Sequence, residues 1–353
     1  MGSNRKIGLI GRLDPDGELF DGQTVKTRMM YRLLCELYGE GNVYVVDTKD
    51  YRHNAARVAV QTARCLLTCG DVFVSLSRNG RKAFFPLLSF AARHLHTRVY
   101  HNLIGGWLDR DLGEYPKQVD YLNDFTVNWV ESRQLVAKLG ELGVSNAEYL
   151  PNFKYLDEVE LPETRHYGPS YRFCTFSRVQ ELKGIGDAID AVERLCVEGL
   201  DCRLDIYGPI DSDYKEEFEM SLTRCASVEY KGCVAPENSV QAIAGYDALL
   251  FPTKWKWEGI PGTIIDALAA GVPVIAAKWQ YYDEMLEDGV TGFGYAFGRN
   301  ELLVGEIKRF VALGDGANEV RKGCKARAEA YSPEAVMGIV AAAVNEAAGG
   351  AQA

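Results

Sequence analysis

The 353-residue chain has no C-x-x-C pair, no G-x-G-x-x-G fingerprint and no apolar run long enough to cross a bilayer. Its longest nearly apolar stretch, residues 264–277, already holds Asp266, whereas a spanning helix needs about 20 apolar residues. Before Arg12, Asp14 and Asp16 the N-terminus offers only the apolar residues 7–10, too few for the core of a secretory signal. These absences predict a cytoplasmic protein. The nine cysteines are odd in number and scattered, which fits reduced thiols rather than a disulfide framework. Cys65 and Cys69 share a helical spacing, but nothing nearby completes a four-ligand zinc site. The missing glycine fingerprint speaks against an NAD-dependent oxidoreductase.

What is present is a soluble globular composition, 47% hydrophobic and 25% charged. The length suits two domains. A net charge of −10 argues against nucleic acid as a partner. That charge is unevenly divided. Residues 1–155 hold 20 Lys+Arg and 17 Asp+Glu, a net of +3, while residues 156–353 hold 19 and 32, a net of −13. The two parts either meet different partners or simply carry unlike solvated surfaces.

Both parts alternate short apolar runs with amphipathic stretches. Strand-length runs fall at 6–11, 42–47, 71–75 and 97–101, then at 171–177, 203–207, 228–231, 248–251 and 272–276. Between the first two lies a helical pattern over 24–38, with Val25, Met29, Leu33 and Leu37 at i, i+4 spacing. Such alternation predicts an α/β protein with parallel sheets covered by helices on both faces. The expected architecture is two Rossmann-like, doubly wound domains facing a cleft. The join is placed near 151–170, where Pro151, Pro162, Gly168 and Pro169 punctuate an acidic stretch. The predicted domains are residues 1–155 and 156–332, with an Ala-rich helix at 333–348 packing back on the first. The last five residues are expected to fray.

Ligands of open parallel sheets bind beyond the carboxyl ends of the strands. Three loops at such ends stand out. Residues 11–23 bring Gly17 and Gly22 to the start of a helix, where backbone approaches an anion closely. Residues 176–186 set Arg178 and Lys183 five positions apart at a strand end and helix start. They read either as a phosphate grip or as two solvated charges. Residues 257–274 run Trp-Glu-Gly-Ile-Pro-Gly-Thr-Ile-Ile-Asp and on to an apolar helix. There the amides of Gly262, Thr263 and Ile264 can cradle a diphosphate, Asp266 one turn in can take a ribose, and Glu258 sits at the mouth. A carboxylate inside an apolar helix is costly without a partner.

Arg178, Lys183 and Gly184, followed by Glu258 and Asp266 within Glu-Gly-Ile-Pro-Gly-Thr-Ile-Ile-Asp-Ala-Leu-Ala-Ala-Gly-Val-Pro-Val-Ile, resemble the family 4 (GT4) retaining glycosyltransferases of the GT-B fold. Tyr149-Leu-Pro-Asn, Tyr207-Gly208, Gly232-Cys-Val234 and Tyr331-Ser-Pro-Glu add to the likeness, which is densest over 171–297. The sequence departs from the family's E-x7-E signature by carrying Asp266 where a second Glu is usual. The resemblance implies a metal-independent transferase that moves a sugar from a UDP- or GDP-sugar to a saccharide or lipid-linked saccharide, in capsule, exopolysaccharide or other surface-glycan synthesis. It implies that no cofactor is required and that no metal is bound. By it, Arg178 and Lys183 hold the diphosphate, Asp266 the ribose and Glu258 the hydroxyls of the transferred sugar. Val234 and the Tyr207-Gly208 turn line the base, and the loop carrying Gly22 closes on the phosphates. His101, which on its own reads as structural, becomes by resemblance a residue touching the donor sugar.

Two other readings share the fold: a nucleotide-sugar epimerase, and a non-catalytic nucleotide-sugar-binding partner subunit. A metal-dependent rival would use one of three D-x-D pairs, Asp14/Asp16, Asp109/Asp111 or Asp211/Asp213. Residues 81–98 mix Phe84, Phe85, Leu87, Leu88 and Phe90 with Arg81, Lys82, Arg93 and Arg98. That stretch suits either a crossover helix on the sheet or a peripheral contact with the inner face of an anionic membrane. Trp107 and Tyr115 can stack on an acceptor sugar or lie in the core.

Overall fold

A computed structural model describes residues 6–349 apart from 18, 20, 52 and 157–163. The acidic part of the expected join and the extreme termini therefore lie outside the described residues. Two units are distinguished, Met1–Tyr155 with Tyr331–Ala353, and Leu156–Ala330.

The strands of the first unit are β1 (Ile7–Gly11), β2 (Val43–Asp47), β3 (Asp71–Ser75), β4 (Arg98–Asn102), β5 (Val127–Val130) and β6 (Ala147–Tyr149). They form one parallel sheet in the order β2-β1-β3-β4-β5-β6. Its helices are α1 (Gly22–Tyr38), α2 (Ala55–Thr68), α3 (Arg78–His94), α4 (Leu108–Glu114), α5 (Gln118–Asn123) and α6 (Arg133–Glu141). The second unit builds another six-stranded parallel sheet from β7 (Ser170–Phe176), β8 (Asp201–Tyr207), β9 (Val228–Gly232), β10 (Ala248–Phe251), β11 (Val274–Lys278) and β12 (Gly292–Ala296). Its order is β12-β11-β10-β7-β8-β9. The helices here are α7 (Ile185–Val197), α8 (Lys215–Arg224), α9 (Ser239–Ile243), α10 (Gly262–Ala269), α11 (Tyr282–Met285), α12 (Leu303–Val311) and α13 (Ala317–Ala328), and the chain closes with α14 (Pro333–Gly349). This is the two-sheet GT-B architecture. Strands β5, β6 and β12 were not among the expected runs: each is short and interrupted by Asn128, Glu148, Gly292 or Gly294.

In the first unit an aromatic stack crosses the sheet, with Phe73 against Tyr100 at 4.8 Å and Tyr100 against Trp129 at 5.7 Å. One helical layer over it comes from Met30, Leu33 and Leu34 of α1 and from Val336, Val340 and Val344 of α14, all fully buried. The i, i+4, i+8 spacing of those valines places one apolar stripe of α14 on the sheet.

Residues 81–94 belong to the crossover helix α3, with Phe84, Phe85 and Leu88 turned inward. Leu87 and Phe90 face out, as does Leu95 just past its end. No helix among the described residues is long and apolar enough to cross a membrane. All nine cysteines are free.

Replacing Val336 and Val340 together by Ala deletes buried methyls beneath the sheet and should cost about 2 kcal/mol per site. Denaturant unfolding of a variant that keeps Trp129 with the other four tryptophans replaced by Phe, followed by emission, should show the first unit's midpoint falling. An unchanged midpoint would mean that α14 contributes no core.

Candidate functional site

In the second unit the chain runs from β7 outward through β8 and β9, then returns to place β10 on β7's other side. The point where the order reverses, between β7 and β10, is where a crevice opens beyond the strand ends. Arg178 and Lys183 follow β7, and Glu258 follows β10.

A short 3-10 turn, Glu181–Lys183, docks on the segment after β10. The Lys254 amide donates to the Leu182 carbonyl at 2.9 Å, and the Thr253 hydroxyl also reaches that carbonyl. Gly184 makes the approach possible. Its φ is +69°, and a Cβ there would stand 1.9 Å from the Pro252 carbonyl oxygen, so only glycine fits. Lys183 is thereby ion-paired with Glu258, whose Oε1 also accepts from the Thr253 hydroxyl at 3.1 Å. Glu258 is nearly buried, while Lys183 keeps a fifth of its side chain exposed. The anion that satisfies Lys183 in this structure is a carboxylate of the protein itself.

Two helices end at this place with uncapped amides. Neither α7, entered through left-handed Gly184, nor α10, entered through Pro261, has a side-chain cap. The Ile264 amide donates to the Pro261 carbonyl at 3.1 Å, and the dipoles of both helix starts favour an anion. Gly262 and Thr263 are half-buried on the first turn of α10, Ile264 is buried, and the buried Thr263 hydroxyl has no partner in the structure. Asp266 is almost fully buried one turn further. Arg178 is more open, 54% exposed, with Asp211 at 4.0 Å.

Strands β8 and β9 end beside the same edge. Gly208 has φ +131° and a Cβ would fall 1.9 Å from the Ser177 carbonyl oxygen. Its amide donates to Gly232 and its carbonyl accepts from the Tyr230 hydroxyl. The Tyr207 ring stacks on Phe176 at 4.7 Å, and its hydroxyl meets that of Tyr246, which donates to Asp205 at 2.6 Å. Val234 is half-buried just past β9. Arg178, Lys183, Gly208, Val234, Glu258, Gly262, Thr263, Ile264 and Asp266 are thus all carried at or just beyond the carboxyl ends of four neighbouring strands.

Gly22 and His101 belong to the first unit. Gly22 is exposed at the start of α1, where Asp21 caps the amides of Gln23 and Thr24 and pairs with Arg12. The amides an anion would use there are already engaged. His101, in β4, is wholly buried, with Nδ1 3.1 Å from Asn128 Oδ1.

The aspartates of the three D-x-D pairs are largely engaged by cations. Asp14 meets Arg28 and Lys49, Asp16 lies near Lys49, Asp109 near Lys138, and Asp111 binds Arg78 and Arg81. Asp211 caps its own turn. Among the described residues no group of three or more His, Cys, Asp or Glu is placed to hold a metal ion. The expectation missed Thr253, which binds Glu258; a threonine in a loop gives no signal until the loop's fold is known.

Residues 170–313 match the family model described as glycosyl transferases group 1. A curated relative, the amylovoran biosynthesis glycosyltransferase AmsK of Erwinia amylovora, is 27% identical over 129 residues, which is 35% of this chain. That match spans about a third of the relative's own length, 31%. Among solved structures, Anabaena HepE in complex with UDP and glucose superposes with a TM-score of 0.74 at 16% identity, covering 97% of this chain and all of that one. Sucrose-phosphate synthase from Thermosynechococcus elongatus gives 0.74 at 14% identity, covering 97% and 98%. These structures share the fold, and the group 1 glycosyl transferase model matches within the second unit.

Gly184→Ala should force the 3-10 turn off the Pro252 carbonyl. A loss of about 1–3 kcal/mol in second-unit stability is expected, together with weaker UDP binding by calorimetry. Wild-type values for both would show that the close approach is not required.

Proposed function

We propose that the protein is a retaining, metal-independent glycosyltransferase that uses a UDP- or GDP-sugar to extend a saccharide or lipid-linked saccharide in surface-polysaccharide synthesis. The observation that carries this is the meeting of Lys183 and Glu258 at the β7/β10 switch point, beside the uncapped starts of α7 and α10. The group 1 match over the same residues supports it.

In this reading the donor's diphosphate takes over Lys183 from Glu258, with Arg178 as a second cation. The amides of Gly262, Thr263 and Ile264 complete the anion cradle, Asp266 holds the ribose, and Gly208 and Val234 line the base. Glu258, released from Lys183, binds hydroxyls of the transferred sugar. Breaking the anomeric bond leaves an oxocarbenium-like sugar and adds charge to the departing diphosphate. Fixed cations and helix dipoles stabilise that charge without reorganising. The acceptor hydroxyl attacks from the leaving-group side, and its proton passes to the departing phosphate. His101 is the first unit's contact with a substrate sugar. The outward Leu87, Phe90 and Leu95, bordered by Lys82 and Arg93, are the face on which a bilayer carrying a lipid-linked acceptor would rest.

A thermal-shift panel of UDP, GDP, ADP, CMP and NAD with EDTA present tests the donor site, since a ligand of the folded state raises the melting point. A shift with UDP or GDP is expected. A shift with NAD alone would overturn the reading. Sugar transfer to an added saccharide separates a transferase from an epimerase or a binding subunit.

Removing single groups tests the roles. Lys183→Ala should lower donor turnover about 100-fold or more, the scale of losing one stabiliser of developing charge. Glu258→Gln removes the carboxylate that competes for Lys183. UDP should then bind as tightly as before or more tightly while turnover falls at least about tenfold. Weaker UDP binding with normal turnover would refute the exchange of partners.

A further inference from the structure

Beyond the carboxyl ends of β1 and β2 the first unit carries a cavity of about 550 Å³. That is within the size range of small-molecule sites, roughly 300–1,000 Å³. Leu13, Tyr31 and Val45 give it an apolar side, and Asp14, Arg28, Asp47, Arg57 and Gln61 give it a polar one. None of the residues placed around the donor lines it.

Most of its charges are settled inside the chain. Asp14 is wholly buried, and its carboxylate accepts from Arg28 at 2.9 Å, from the Leu19 amide at 2.7 Å and from Lys49. Arg28 also donates to the Leu13 carbonyl at 2.9 Å and to the Asp14 carbonyl. It acts as a clamp on the loop between β1 and α1. One oxygen of Asp47 accepts from the Leu13 and Lys49 amides at 3.0 and 2.9 Å.

Arg57 and Gln61 are different. They stand one turn apart on α2, beside the buried stripe of Val58, Thr62 and Cys65. Arg57 is exposed and, among the described residues, has no ion pair or hydrogen bond. It occupies the first turn of α2, where a cation opposes the helix dipole. That turn holds no acidic residue, and Asn54 makes no side-chain cap. Gln61 Oε1 is buried without a hydrogen-bond partner in the structure. An unpaired guanidinium at an uncapped helix start suits an anion, and a buried amide oxygen needs a donor.

We infer that this cavity binds an acidic sugar residue of the acceptor saccharide. Arg57 holds its carboxylate, Gln61 one of its hydroxyls, and Leu13, Tyr31 and Val45 the C–H face of its ring. Charge selects the carboxylate. With Asp14 and Asp47 held from within, Arg57 is the lining charge left over among the described residues, and its planar fork matches a single carboxylate. A phosphate monoester carries close to two charges and would face Asp14 and Asp47 with that one cation. A neutral sugar would leave Arg57 unused. A hydroxyl suits Gln61 whichever way the amide is turned, because it both donates and accepts. That the acidic residue belongs to an acceptor rests on the glycosyltransferase reading, whereas the cavity's preference for it does not.

Saturation-transfer NMR on the full chain tests the cavity without any donor, using methyl glucuronide and methyl glucoside at equal concentration. The glucuronide should receive magnetisation from the protein and the glucoside severalfold less. Arg57→Gln changes a surface residue and should melt as the wild type does, while its glucuronide affinity falls about tenfold or more. Gln61→Leu should weaken the glucuronide and keep the preference for it over the glucoside. Inorganic phosphate should compete poorly. No glucuronide signal, equal signals from the two sugars, a signal indifferent to Arg57→Gln, or ready displacement by phosphate would each overturn the proposal.

Transfer assays with UDP-glucose and GDP-mannose then offer cellobiouronic acid and cellobiose as acceptors. Use of the acid at lower KM, with Arg57→Gln raising that KM alone, is expected. Transfer that favours cellobiose or ignores Arg57 would overturn the acceptor assignment. A wild type whose melting point neither UDP nor GDP moves, yet which binds methyl glucuronide through Arg57, would mark failure of the glycosyltransferase reading and not of the cavity's.

Discussion

The second unit depends on one close approach, that of Gly184 to the Pro252 carbonyl. It closes the distance between the segment after β7 and the segment after β10, so that Lys183 and Glu258 meet across the switch point of the sheet. The parallel order of the strands would bring these segments to the same end in any case. The left-handed glycine converts that neighbourhood into a contact, and the contact gives a buried carboxylate the cation it needs. Gly208 does the same one strand over, against the Ser177 carbonyl. Two glycines with positive φ therefore set where the backbone stands at the mouth of the site, and the charged side chains follow from them.

An ion pair of this kind is more informative than a stabilising contact. A nearly buried Glu258 beside a fifth-exposed Lys183 is held ready rather than locked, because each partner has an alternative that a nucleotide-sugar could offer. In the proposed reading a diphosphate is the stronger anion for Lys183, and sugar hydroxyls are neutral donors for Glu258 and Thr253. Pairing the two groups keeps an isolated charge from being buried. The nearby amides of α7 and α10 have no such internal partner from a capping side chain, and they remain oriented toward an anion.

Much of this was legible in the sequence because it is carried by local pattern. The apolar runs that became β1, β3, β7 and β10 are short, continuous and bounded by turn residues, the mark of strands buried on both faces. Lys183-Gly184 and the Glu258-to-Asp266 stretch read as candidate site segments because a carboxylate within an apolar helix and a Glu in a Gly/Pro loop are costly without partners. The engagement of Asp21 with the start of α1 was not legible, since an aspartate at that spacing caps a helix as readily as it marks a loop. Strand β5 was missed for a related reason. Asn128 interrupts its apolar run, and by the rules of strand composition it counts against the element.

That interruption is satisfied by hydrogen bonds within the first unit. A polar side chain in the middle of a buried strand is unfavourable unless every donor and acceptor is used, and Asn128 uses all of its own: two hydrogens on Leu122 and Asn146, and one oxygen on His101. A buried asparagine whose hydrogens and oxygen are all used fixes its neighbours rather than weakening the sheet, so Asn128 ties β5 to His101 of β4, to the Leu122 carbonyl and to Asn146.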